Sequence, residues 1–143
     1  MRGIWGIDPG WGITIVRVVM AAIFIFHGYD KLTGGIGGVA EFFAKVGLPL
    51  PRVSALLVMI LELGGGLLLL VGLFSRWLGL LYVVEFAVAA FYVKLPSRGF
   101  QAAEFELLLL AGGALLFLAG GGRASVDEMW LERREAPGAR RAT

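Results

Sequence analysis

Four long apolar runs divide the chain, at residues 12–29, 53–74, 76–93 and 102–120. Each approaches the ~17–25 residues that a helix needs to cross a bilayer, and none alternates as barrel strands do. Polar and glycine-rich punctuation separates them. After the first run come Lys31-Leu32-Thr33-Gly34-Gly35-Ile36-Gly37-Gly38, then Gly47-Leu48-Pro49-Leu50-Pro51. Between these, residues 39–46 form a short amphipathic helix suited to the membrane interface. Only Phe74-Ser75-Arg76 separates the second and third runs, which predicts an antiparallel hairpin with Ser75 as the N-cap of the third span. Lys94-Leu95-Pro96-Ser97-Arg98-Gly99 connects the third and fourth. After Gly120-Gly121-Gly122-Arg123, Ser125 and Glu128 make an S-x-x-E capping box that starts a charged helix over residues 126–135, followed by a polar tail. The expectation is an all-α integral membrane four-helix bundle, one membrane domain over residues 1–143.

Composition strengthens that reading. Of 143 residues, 58% are apolar and a further 22 are glycine; mean hydropathy is +0.81. A soluble domain reaches roughly 45–50% apolar with glycine included, so this chain exceeds what a soluble core of its size hides. The start Met1-Arg2-Gly3-Ile4-Trp5 lacks a signal-peptide pattern, so the first apolar run is expected to be retained. With no cysteine and one histidine, disulfides, thiolate ligands and dithiol chemistry are excluded, and no metal site is expected. The net charge of +2 rests largely on tail arginines, which suit anionic headgroups rather than nucleic acid.

Four spans put both termini and the 2–3 turn on one face. That face holds Arg2, Arg76, Arg123, Arg133, Arg134, Arg140 and Arg141; the other holds Lys31, Lys45, Arg52, Lys94 and Arg98. The balance favours an inner-membrane protein with cytoplasmic termini. Trp5, Trp11, Trp77 and Trp130 all fall on the terminus face, as an interfacial belt would.

Charges within the spans are the informative positions, because an ionised group at the bilayer centre costs about 2.5–3.5 kcal/mol. At ~1.5 Å per residue, Arg17 lies about 8 Å inside the terminus face, Glu62 about 16 Å and Glu85 about 14 Å. One reading is a buried ion pair that sets register. The other is two carboxylates, Glu62 and Glu85, sharing Arg17 as counter-cation, so that one of them carries a proton. At the opposite face His27 and Lys31 are four apart on one helix face, with Glu104 and Glu106 emerging nearby. This cluster is either an interfacial charge network or a site for a quinone carbonyl and proton relay. Gly64-Gly65-Gly66 and Gly112-Gly113 read as close-packing positions. Phe24, Phe26, Phe86, Phe91 and Tyr92 read as core or lipid-facing.

The ordered set of Arg17; His27-Gly28 and Lys31; Phe42-Phe43 with Gly47-Leu48-Pro49; Glu62-Leu63-Gly64-Gly65-Gly66; Gly72-Leu73-Phe74-Ser75-Arg76; Glu104-Phe105; and Gly120-Gly121-Gly122-Arg123-Ala124-Ser125-Val126-Asp127 resembles the DoxX family of small membrane proteins. The similarity runs from about residue 15 to residue 127. The resemblance implies a four-span bundle and an association with oxidoreduction, since the family takes its name from a subunit of a thiosulfate:quinone oxidoreductase. The matching positions are Arg17, His27, Lys31, Glu62, Arg76, Glu104, Ser125 and Asp127; Glu85 and Glu106 stand outside the pattern. Three functions compete: a subunit of a membrane oxidoreductase system that binds quinone, a non-catalytic accessory subunit, and a small transporter or proton path through Arg17, Glu62 and Glu85. Expected partners are the bilayer and other membrane subunits or a second copy.

Overall fold

The computed structural model describes residues 4–135. Arg2, Arg140, Arg141 and the tail beyond residue 135 therefore lie outside the described residues. The described residues are helical without strands. A short 3-10 turn (Ile4–Gly6) precedes α1 (Gly10–Gly34) and α2 (Ile36–Lys45), then α3 (Pro51–Val71) and α4 (Ser75–Ala87). A π-helical stretch (Val88–Lys94) continues α4 into α5 (Leu95–Arg98), and α6 (Phe100–Ala119) and α7 (Val126–Glu135) follow. The four membrane-length helices are Gly10–Gly34, Pro51–Val71, Ser75–Arg98 and Phe100–Ala119.

The third span is longer than the apolar pattern predicts. Pro96 has no N–H to offer the carbonyl of Tyr92, and its ring crowds that carbonyl. The helix does not stop there but widens into π turns upstream and continues to Arg98. The break comes at Gly99, at φ 78°.

Pairing within the bundle follows the small residues. A Cβ on Gly28 of α1 would collide with the backbone of Leu63 on α3, and one on Gly79 of α4 would lie 2.6 Å from the Phe117 amide and 2.7 Å from the Gly113 carbonyl on α6. Accordingly α1 packs chiefly on α3, and α4 chiefly on α6. Gly65, Gly66, Gly112 and Gly113 all sit at close approaches, whereas Gly64 faces open space. Although only a short turn joins them, α3 and α4 share few contacts. The core between the pairs is an aromatic stack: Phe24 of α1 lies 3.9 Å from Tyr82 and 5.6 Å from Phe86, centroid to centroid. Leu69, Leu78 and Leu116 pack around it and fill the terminus half of the bundle. Phe26, Phe91 and Tyr92 face outward, and the four tryptophans are exposed.

The terminus face is tied by a network that caps helix ends. Gly72 ends α3 at φ 76°, with hydrogen bonds from the Leu73 amide to Leu68 O (3.0 Å) and from the Gly72 amide to Leu69 O (3.0 Å), the Schellman pattern. Arg17, almost fully buried, donates from Nη1 to Leu69 O (2.9 Å) and Leu70 O (3.2 Å) and from Nη2 to Ala124 O (2.5 Å). Arg76 donates to Phe117 O (3.1 Å) and Leu118 O (2.6 Å) at the end of α6. The Asp127 carboxylate accepts from the Phe74 amide (2.9 Å) and the Ser75 amide (2.7 Å) at the start of α4. The Ser75 N-cap expected from the sequence is thus replaced: Ser75 Oγ is buried without a hydrogen-bond partner, and a carboxylate from α7 takes the capping task. Ser125 does start α7, with Oγ accepting from the Glu128 amide (3.2 Å).

Thermal unfolding in detergent separates these glycines and caps. A Cβ on Gly72 would overlap Arg17 Nη1 and Ser125 in a left-handed backbone, so Gly72→Ala should destabilise by about 3 kcal/mol. Asp127→Ala should cost about 1–2 kcal/mol. Gly64→Ala, in open space, should be neutral or stabilising by up to about 1 kcal/mol. Equal midpoints for Gly72→Ala and the parent chain would contradict the capping account.

Candidate functional site

The loop half of the bundle is hollow. A cavity of about 510 Å³ lies between α1, α2, α3, α4 with its π-helical extension, and α6. Its walls are mainly apolar, from Phe42 and Phe43 on α2, Leu57, Val58 and Leu61 on α3, Leu81, Val84 and Phe86 on α4, and Phe105 on α6. The aromatic stack forms its floor, because Phe86 belongs to both. Leu57, Leu81 and Val84 line the cavity and are also exposed on the outer surface, so the space reaches the lipid-facing side where α3 and α4 diverge.

Six ionisable groups enter this apolar space: His27, Lys31, Glu62, Glu85, Lys94 and Glu106. Lys31 and Glu62 form an ion pair, with side-chain exposures of 22% and 5%. The approach of α1 to α3 at Gly28 places Lys31, almost one turn further on, against Glu62. Lys94 and Glu106 form a second pair. Lys94 ends the π-helical stretch, which packs against α6 as α4 does. A buried charge is tolerable when paired and hydrogen-bonded, and the cavity as a whole meets that requirement only in part. Glu106 Oε2 is buried with no hydrogen-bond partner, and so is Glu85 Oε2. The Glu85 carboxyl lies against that of Glu62, within electrostatic reach of Lys31.

This differs from the pairing expected along the chain. Arg17 does not serve Glu62 and Glu85. Its long stem carries the guanidinium back to the terminus face, where the carbonyls at the end of α3 and their helix dipole are the nearer acceptors. The counter-cation of the two carboxylates is Lys31. Nor do His27, Lys31, Glu104 and Glu106 form one cluster. Glu104 and Glu106 are two apart on α6 and so point to different sides; Glu104 is exposed and Glu106 is buried. His27 sits at the rim with its ring 5.9 Å from that of Phe105. Lys94 was legible only as a loop charge, and the opposite sign of Glu106 across the turn was the available signal. The lining aromatics Phe43 and Phe105 carried none beyond their bulk.

A second, shallower pocket of about 470 Å³ opens on the loop face, lined by His27, Asp30, Lys31, Gly34, Gly35, Gly38 and Val39. His27 and Lys31 therefore stand in the wall between this surface pocket and the inner cavity.

Comparison with known proteins identifies the family. The DoxX family profile matches residues 12–95. The putative oxidoreductase CatD of Bacillus subtilis is 34% identical over 116 residues, covering 81% of this chain and 84% of the relative. The inner membrane protein YqjF of Escherichia coli is 32% identical over 124 residues, 82% and 91% of the two chains. The inner membrane protein YphA of Escherichia coli is 30% identical over 71 residues, half of each chain. No solved structure matches significantly. The four apolar spans and these relatives support a multi-pass inner-membrane protein. With the profile covering more than half of the chain and a four-span helical bundle beneath it, this chain belongs to the DoxX family.

Proposed function

We propose that the chain is a quinone-associated subunit of a membrane oxidoreductase system, with a quinone headgroup seated in the loop-half cavity and both termini cytoplasmic. The observation that carries this reading is an apolar cavity open towards lipid that contains two lysine–glutamate pairs and two buried carboxylate oxygens lacking partners. A quinone headgroup is a flat apolar ring with two acceptor oxygens. The volume falls in the ~300–1,000 Å³ range of small-molecule sites. Phe43, Phe86 and Phe105 offer ring surfaces, and Lys31, Lys94 and His27 offer donors. When bound, a quinone supplies a two-electron, two-proton couple. The chain's own residues do the rest: Lys31 and His27 orient an oxygen by donating to it, Glu62 and Glu85 hold protons beside it, and the apolar walls exclude water. With no cysteine and one histidine in the chain, the electrons come from a partner subunit. The name of the relative CatD, a putative oxidoreductase, agrees with this reading.

Purification from native membranes in a gentle detergent, followed by mass spectrometry of extracted lipids and co-purifying proteins, tests it. A quinone should be recovered in near-stoichiometric amount. Lys31→Met or His27→Ala should lower that recovery about tenfold, the effect of losing one hydrogen bond involving a charged donor. Glu104→Ala, on the outer surface, should leave it unchanged. A stoichiometric protein partner without quinone would overturn the proposal and make the chain an accessory scaffold.

A further inference from the structure

The surface pocket at the α1–α2 turn and the inner cavity share two residues, His27 and Lys31. The two spaces differ in kind. The outer one is open to the loop face, with His27, Asp30 and Lys31 on its wall beside Gly34, Gly35 and Gly38. The inner one is apolar and ends at Glu62 and Glu85. Lys31 is partly exposed to the outer pocket while its ammonium is paired with Glu62, which is buried. Glu85 lies against Glu62, and its Oε2 is buried without a partner. We infer that Glu85 is the inner end of a proton inlet that runs from the loop-face pocket through His27 and Lys31 to the Glu62–Glu85 carboxyl pair.

The physical case is one of charge and reach. Two carboxyl groups in contact share one ammonium at membrane depth. Both ionised, they repel each other in surroundings that screen poorly. A single proton held between them removes that repulsion and gives the unpartnered oxygen a role. The remaining ionisable groups of the cavity do not compete for this place, because Lys94 is paired with Glu106 on another wall; Tyr82, on the same helix as Glu85, donates its hydroxyl to Leu61 O at 3.0 Å. A proton leaving the pair is replaced by transfer from the Lys31 ammonium to a carboxylate oxygen, and Lys31 is reprotonated from the outer pocket by way of His27 and Asp30. No electron moves and no other bond is made or broken. The inlet rests on the quinone reading only for what consumes the proton.

Infrared spectroscopy of the full chain in lipid tests the inlet without any quinone. The carbonyl stretch of a protonated carboxyl group should be present at neutral pH and should shift on transfer to D2O. Glu85→Gln, close to isosteric, should remove it, and Glu106→Gln should leave it. His27→Ala and Asp30→Asn, which touch neither carboxyl, should retain the band but slow its deuterium shift by about a hundredfold, the low end of what one positioned proton-transfer group contributes. A band that survives both Glu85→Gln and Glu62→Gln would overturn the shared proton. Unchanged exchange in both His27→Ala and Asp30→Asn would overturn the route. If quinone is absent from purified protein while the band and its exchange behave as stated, the quinone reading fails and the inlet stands.

Discussion

The buried guanidinium of Arg17 is the interaction on which the terminus half of this protein depends. A helix that ends within or near a bilayer leaves carbonyls that lipid cannot satisfy. Arg17 meets two of them at the end of α3 and one in the segment leading to α7. Gly72 is obligatory beside it, because any side chain there would occupy the guanidinium's place. Asp127, which follows the same segment, turns back to cap α4 and lies near enough to act on Arg17 electrostatically. One cation thus joins α1, α3 and the α7 segment, and through Asp127 it joins α4 as well.

That arrangement leaves the other half free to be hollow. With the helix ends locked on one face and the Phe24–Tyr82–Phe86 stack filling the middle, α3 and α4 diverge without loss of the bundle. The space between them holds charges at membrane depth, which a bundle selected for packing alone would avoid. Lys31–Glu62 and Lys94–Glu106 lower the cost of that placement, and the two unpartnered carboxylate oxygens show that it is not fully offset. Those two oxygens, on Glu85 and Glu106, are where the polar groups of the cavity remain unmatched by the protein itself.

The π-helical stretch connects the two themes. It results from a proline placed where an uninterrupted α-helix would need a donor, and π turns of this kind recur at functional sites. At its end Lys94, still partly exposed, pairs with Glu106 at the cavity wall.

The chain by itself determined the number of spans, their helical character, the short helix after the first span, the final charged helix and the family. Hydropathy acts over windows of ~20 residues and needs no knowledge of neighbours. It also marked the residues that matter, since Arg17, His27, Lys31, Glu62, Glu85 and Glu106 stand out as charges in or beside apolar runs. Only the tertiary structure decided who meets whom. Depth along a helix says how far a Cα lies from the membrane face, but a long side chain moves its charge by more than a turn. So Arg17 went to the carbonyls of the terminus face and Lys31 to Glu62. Glu104 and Glu106, two residues apart, were sent to opposite sides by helix rotation. The Ser75 cap was displaced by Asp127, 52 residues away in sequence, because partners so distant are brought together only by packing.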